Sequence, residues 1–128
     1  FFEVCKSLAD YVFLDCTSSL DDPLCVYGMA AADKAVQLVT PDIRSAAYYA
    51  SFEKTYEQIK GKSIGVINIT DKDLYLPVGE VKAGFSNAKY ILPYSMYLKQ
   101  QYITGELTHK IPDQKFSAVC RGIAGAVL

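Results

Sequence analysis

Four cysteines and a single histidine are the residues of this 128-residue chain with the most particular chemistry. Cys5, Cys16 and Cys25 lie close together, Cys120 lies far from them, and His109 is the lone imidazole. None of them has the CxxC or HxxxH spacing that gathers ligands around tetrahedral zinc. Asp71-Lys72-Asp73 alternates carboxylates as a calcium loop does, but lacks the glycine that should follow and the distal glutamate. A cysteine nucleophile needs an imidazole beside it and a third group to orient that imidazole. No signature of that kind surrounds any of the four, and His109 stands between Thr108 and Lys110 in a polar stretch. Asp21-Asp22 serves a helix cap and Asp71/Asp73 a turn, so no carboxylate pair is left for glycosidase chemistry. The glycines of Gly122-Ile123-Ala124-Gly125 fall within a helix and predict close helix packing, not a phosphate cradle. The expectation is a non-enzyme with no catalytic residue and no metal site.

The cysteines then have three readings. As disulfides, Cys5–Cys16 closes a short loop and Cys25–Cys120 ties the second helix to the last, worth about 3 and about 5 kcal/mol by the chain-entropy argument. As core residues they act as small hydrophobes, which suits Cys5 and Cys120 on apolar helical stripes. As attachment points, Cys16 and Cys25 are thiols beside Asp15, Asp21 and Asp22. Those carboxylates could accept pyrrole N–H hydrogen bonds from a prosthetic group held by a thioether. Cys25 also falls in the first turn of a proline-started helix, where the dipole is expected to lower its pKa.

These residues have to be positioned by a single domain, given the length. A chain of this size buries about 65–70% of its unfolded surface and folds without staples. Hydrophobic residues make up 51%, with ten Tyr and six Phe, which excludes disorder. Thirteen basic and fourteen acidic residues leave a net charge of −1, with no basic stripe for nucleic acid. No apolar run reaches the roughly 18 residues of a membrane span. The chain starts Phe1-Phe2-Glu3-Val4 without an initiator Met, which predicts a processed product that has lost a targeting segment. An even cysteine count and the acceptor triplet Asn68-Ile69-Thr70 point away from a reducing cytosol, to an organelle or a secreted or lumenal setting.

Along the chain, Val4, Leu8, Tyr11 and Val12 predict a first helix to about Leu14. Asp22-Pro23 caps a second, whose stripe Leu24, Tyr27, Gly28, Ala31, Ala35, Leu38 continues to Thr40-Pro41. Thr40-Pro41 caps a third, running to Lys60 and stopping at Gly61. Ser63–Thr70 reads as a strand, Asp71-Lys72-Asp73 as a turn, and Leu74–Leu76 and Val78–Val81, split by Pro77, as edge-strand material. Ala88–Leu92 reads as another strand. Pro93 starts a helix from Tyr94 to about Ile103, closed by Gly105, and Phe116–Val127 forms the last. The class is α+β and helix-dominant, with about five helices around a small central β segment.

Tyr48, Phe52 and Tyr56 recur at i, i+4, i+8 on the third helix, and Tyr94, Leu98 and Tyr102 repeat the arrangement on the fourth. Such stripes either line the rim of an ordinary core or, with Tyr97, present rigid half-polar contact area for another protein.

The run Leu92-Pro93-Tyr94-Ser95-Met96-Tyr97-Leu98-Lys99-Gln100-Gln101-Tyr102-Ile103 resembles the small C-terminal domain of phycobilisome linker polypeptides. That family carries a strand, a Pro-Tyr step and a short helix ending in a Gln-Arg-Ile-like sequence. Pro93-Tyr94, Tyr97 and Gln101-Tyr102-Ile103 carry the likeness; where the family continues with a double glycine and a strand, this chain has Thr104-Gly105-Glu106-Leu107. The twin tyrosine helices and four cysteines are also compatible with the γ-type linker of red-algal phycoerythrin, which bears bilins on cysteines. The resemblance implies a non-catalytic light-harvesting linker that arranges pigments by contact with other subunits.

Three functions follow from these readings. The first is a scaffold or linker subunit of a larger assembly, the second a secreted or lumenal binding module stapled by disulfides, and the third a cysteine-nucleophile enzyme.

Overall fold

In a computed structural model, which describes residues 1–17, 19–73, 77–85, 87–106 and 111–128, three parallel strands form one sheet in the order β1-β2-β3. The strands are β1 (Ala35–Val39), β2 (Ser63–Asn68) and β3 (Ala88–Leu92). Seven α-helices accompany them among the described residues: α1 (Phe2–Leu8), α2 (Pro23–Ala31), α3 (Ile43–Ser51), α4 (Glu53–Ile59), α5 (Val78–Gly84), α6 (Met96–Thr104) and α7 (Gln114–Val127). A 3₁₀ turn, Lys60–Lys62, leads into β2. The chain is therefore α+β and helix-dominant around a small sheet, with seven helices where the sequence suggests about five. Parallel neighbours cannot be joined by a hairpin, so helices carry the chain back between strands.

Local chemistry sets most of the boundaries. The Asp22 carboxylate caps α2 by accepting from the Leu24 N–H, with Pro23 in the first turn. Asp113 caps α7 through the Phe116 N–H, and Ser95 caps α6 through Leu98. Gly105 closes α6 at φ 72°, the left-handed conformation that glycine adopts without penalty. Strands β2 and β3 fall where the Val/Ile-rich runs predict them.

Four elements depart from the sequence reading. Helix α1 stops at Leu8, not Leu14, because its stripe Val4, Leu8, Tyr11, Val12 is exposed and has no core to pack on. Helix α2 stops at Ala31, and Ala35–Val39 is strand. Ala31, Ala35 and Leu38 mimic a helical stripe, but Val36-Gln37-Leu38-Val39 pairs in register with Ile64–Ile67. Lys62 Nζ donates to the carbonyls of Ala30 and Ala32 at 2.8 Å each, satisfying the freed end of α2. The third predicted helix is broken at Phe52 (φ −116°, ψ 16°), which ends α3 and opens α4. In an unbroken helix Tyr49 and Tyr56 stand about 10 Å apart along the axis. The break brings their rings to 5.0 Å, stacked at 12°. Val78–Val81 is helical, the start of α5; Leu74–Leu76 lies outside the described residues.

The sheet has two unequal faces. On one, Ile67 packs with Val81 and Phe85 of the α5 region, joined by Val39, Ala46, Tyr49, Ala88 and Ile91. Tyr49 meets the Phe85 ring edge-on at 4.9 Å. On the other, α7 lies over β3: Tyr90 donates its hydroxyl hydrogen to the Gly122 carbonyl at 2.9 Å. A β-carbon at Gly122 would sit 3.2 Å from that ring, so this glycine does permit close packing. Gly125 has open space beside it and no such duty.

Candidate functional site

A cavity of about 1190 Å³ runs along β1, one of the two edge strands of the sheet. Its walls are the strap 9–16, helix α2, both faces of β1, and the α3/α4 tyrosines. Thr40, Asp42 and Asn68 stand at the carboxyl ends of β1 and β2. In open parallel sheets the crevice beyond those ends is where ligands bind.

That mouth is ordered by one carboxylate. Asp42, not Thr40, caps α3: its Oδ1 accepts from the Arg44 and Ser45 N–H groups at 2.9 Å each. Thr40 donates its hydroxyl hydrogen to Asp42 Oδ2, and the Thr40 N–H donates to Ser45 Oγ at 3.1 Å. The Thr40 hydroxyl, with the Ser45 and Arg44 N–H groups, holds the Asp42 carboxyl below the ordinary carboxylate range. A folded pKa below the unfolded one stabilises the fold above the unfolded value, near 3.9, and the contribution fades as pH falls through the folded value. Asp42→Ala is expected to lose about 1 kcal/mol at neutral pH, the usual worth of an N-cap. Asp42→Asn should keep most of the cap while flattening the acid limb of a denaturation-versus-pH profile.

The inner wall carries thiols and phenols. Cys25, in the first turn of α2, is only 5% exposed and lines the same cavity as Cys16. Burial pushes the Cys25 thiol up, and Cys16 and the Asp22 carboxylate push the same way. The expected lowering by the helix dipole is thus overturned: desolvation and a neighbouring negative charge outweigh it. Tyr56 is likewise raised, first by burial and then by Tyr48, Cys25 and Tyr49, which places phenol and thiol in one neighbourhood. Cys120, half-buried on α7, is raised by burial alone. A raised thiol is a poorer nucleophile at neutral pH.

The outer wall is unfinished. Residues alternate faces along a strand, so Val36 and Leu38 point away from the core that Val39 joins. Val36 is 43% and Leu38 64% exposed. Between them Gln37 has its Nε2 buried without a hydrogen-bond partner. Alternation turns Gln37 to the core-side face, where an orphaned buried donor costs on the order of 1–3 kcal/mol, so the inner face of β1 is short of a partner group while its outer face is short of cover.

The residues singled out in the sequence divide into separate places. All four cysteines are free thiols. Cys16 and Cys25 share the cavity wall, which neither Cys5 nor Cys120 lines, and it is Cys25 that is buried, whereas Cys5 and Cys120 are half-exposed. Tyr48 and Phe52 remain neighbours at 4.8 Å, while Tyr56 turns to Tyr49; all are half-buried, and the three tyrosines line the cavity. Tyr94 precedes α6 instead of lying in it, its hydroxyl 3.7 Å from Met96 Sδ. Tyr97 and Tyr102 are exposed on α6, Tyr102 at 90%. The two tyrosine stripes therefore do not form one surface. His109 lies outside the described residues. Asp71 makes the predicted turn, accepting from the Lys72 N–H at 2.6 Å. Among the described residues no group of three or more His, Cys, Asp or Glu side chains is arranged to hold a metal, and no helix is long and apolar enough to cross a membrane. Gln37 and the Thr40–Asp42 pair escaped the sequence reading, because both depend on Ala35–Val39 being strand. The one available signal was Asp42 with Ser45 three residues on, a common N-cap spacing. No family model matches this chain, and neither a curated protein nor a solved structure matches it.

Proposed function

We propose that this chain is a non-catalytic contact subunit of a larger protein assembly, joined to its neighbour along β1. The observation that carries the reading is the bare edge and outer face of that strand, where Val36 and Leu38 stand exposed. Parallel sheets are normally covered on both faces, and an open apolar edge invites a further strand. An extended apolar segment of another protein would pair with the β1 backbone and cover Val36 and Leu38. Exposed Tyr97 and Tyr102 on α6 add rigid contact area.

A photo-crosslinking residue at position 38, expressed in the native host, is expected to capture one discrete protein, while the same residue at exposed position 57 captures none. Leu38→Glu should leave folding stability within about 0.5 kcal/mol, as exposed substitutions usually do, and abolish co-purification of the captured protein. A monomeric chain giving the same crosslinks from both positions overturns the reading.

The light-harvesting linker is its narrower form, supported by the resemblance of residues 92–103. Of the two attachment cysteines, Cys16 has solvent access and Cys25 has little; Asp22 is committed to the α2 cap and to the Thr17 hydroxyl. A bilin would therefore hang from Cys16, with Asp15 beside it on the cavity wall. Visible absorption that survives denaturation supports this form, and a colourless denatured chain from the native host removes it.

A second reading is carried by the cavity mouth. Asp15, Thr40, Asp42 and Asn68 around the carboxyl ends of the strands suit a module that binds a small polar ligand. A thermal midpoint raised by a small molecule favours this second reading; one raised only by a protein partner favours the first.

A further inference from the structure

We infer that Cys16 and Cys25 form a reversible redox pair, a dithiol that closes to a disulfide and ties the strap 9–16 to helix α2. The inference stands on the placement of the two sulfurs and does not depend on the contact reading above. Three local features bring them together. The Asp22 N–H donates to the Ser19 carbonyl at 3.2 Å, and the Thr17 hydroxyl donates to Asp22 Oδ2 at 3.2 Å, so the chain between the cysteines folds back on the start of α2. Asp22 then caps that helix, fixing Cys25 in its first turn. One turn further, Gly28 leaves the helix surface without a side chain, and the Cys16 sulfur lies 3.6 Å from where its β-carbon would be. Residues three apart share a helix face, so Cys16 rests over the face that carries Cys25, and both residues line the same cavity. Cys5 on α1 and Cys120 on α7 do not line the cavity wall that Cys16 and Cys25 share.

The oxidant is a low-molecular-weight disulfide of the glutathione class. Cys16, the half-exposed thiol, is the point of entry and Cys25, buried behind it, resolves. The Cys16 thiolate attacks one sulfur of glutathione disulfide; the S–S bond breaks and one glutathione leaves as thiolate. The Cys25 thiolate then attacks the Cys16 sulfur of the mixed disulfide, forming Cys16–Cys25 and releasing the second glutathione. The protein loses two protons and two electrons, and the two glutathione thiols carry them away. Because Tyr56 shares the Cys25 neighbourhood and both line the cavity, the oxidation state is recorded in the wall that strap and helix build together.

The test uses the intact reduced chain, treated with glutathione disulfide at about pH 8, near the ordinary thiol pKa, and digested without reduction. Trypsin cuts after Lys6 and Lys34, so a single peptide carries Cys16 and Cys25 while Cys5 and Cys120 fall on others. That peptide is expected to lose the mass of two hydrogens and to refuse alkylation, and the other two cysteine peptides to alkylate fully. Dithiothreitol should restore the mass. Cys25→Ser should stop at a glutathione adduct on Cys16, and Cys16→Ser should leave Cys25 reduced. Linkage of the shared peptide to Cys5 or Cys120, or a stable glutathione adduct on Cys16 in the unsubstituted chain, overturns the pair.

Discussion

Ile67→Ala is expected to cost about 4 kcal/mol of folding stability, measured by chemical denaturation. Ile67 is fully buried in the central strand and anchors a hydrophobic cluster that joins β2 to α5, with Val81 and Phe85 in it and Val39, Tyr49 and Ile91 packed around it. Truncation removes the transfer free energy of the lost carbons and leaves a void. That void cannot collapse easily, since its walls are the two flanking strands and a ring pinned edge-on by Tyr49. Domains of this size are stable by about 5–15 kcal/mol, so the variant would sit near the unfolding threshold. Ile67→Val, which deletes a single methylene, should cost about 1 kcal/mol. A loss below 1 kcal/mol for the alanine variant would mean that the cluster is not the organising core.

Gly65→Ala is expected to be nearly as damaging, at about 3 kcal/mol, through the opposite fault. A β-carbon on Gly65 would meet the Asn87 carbonyl oxygen at 2.5 Å, the Asn87 carbonyl carbon at 2.7 Å and Ala88 Cα at 2.9 Å. All three are backbone atoms, and the Gly65 N–H itself donates to that same Asn87 oxygen at 2.9 Å. The ladder between β2 and β3 shifts register at this point, from Gly65 beside Ala88 to Val66 beside Tyr90, which draws the two chains together. The added methyl would push β3 outward and strain the Asn87 amide, which donates to the Ser63 carbonyl at 2.9 Å. Gly-to-Ala exchange otherwise gains about 0.4–1 kcal/mol by restricting the unfolded chain. Gly79→Ala, in α5 with open space around it, supplies that contrast and should be neutral or mildly stabilising. Equal behaviour of the two glycine variants would show that the close approach at Asn87 is not real.

How far the fold was legible in the sequence differs by element, and the difference has a physical cause. Asp22-Pro23, Gly105 and the apolar stripe of Phe116–Val127 were readable because each acts within one turn of itself. The Val/Ile runs Ser63–Asn68 and Ala88–Leu92 were readable because fully buried strands are dense in those residues. Ala35–Val39 was misread as helix because its alanines happen to extend the α2 spacing, and nothing local favours the strand as strongly as its pairing with Ser63–Ile67 does. Val78–Val81 was misread as strand for the converse reason: β-branched residues were weighted above the turn that Pro77 starts. The kink at Phe52 exists to stack Tyr49 on Tyr56 and meet Phe85, and the sequence around it carries no breaker.

The candidate site shows the same division. By itself the sequence determined that the chain has a helix-dominant mixed fold, where most helices start and stop, and that its cysteines lack the spacing for a metal. Only the tertiary structure decided that the strands run parallel, that β1 lies bare at the edge with Gln37 unsatisfied, and that Cys16 faces Cys25 across the gap left by Gly28. Caps and strand composition act over a few neighbouring residues. Which strand is left uncovered, and which thiols meet, depends on contacts between segments that only the folded chain brings together.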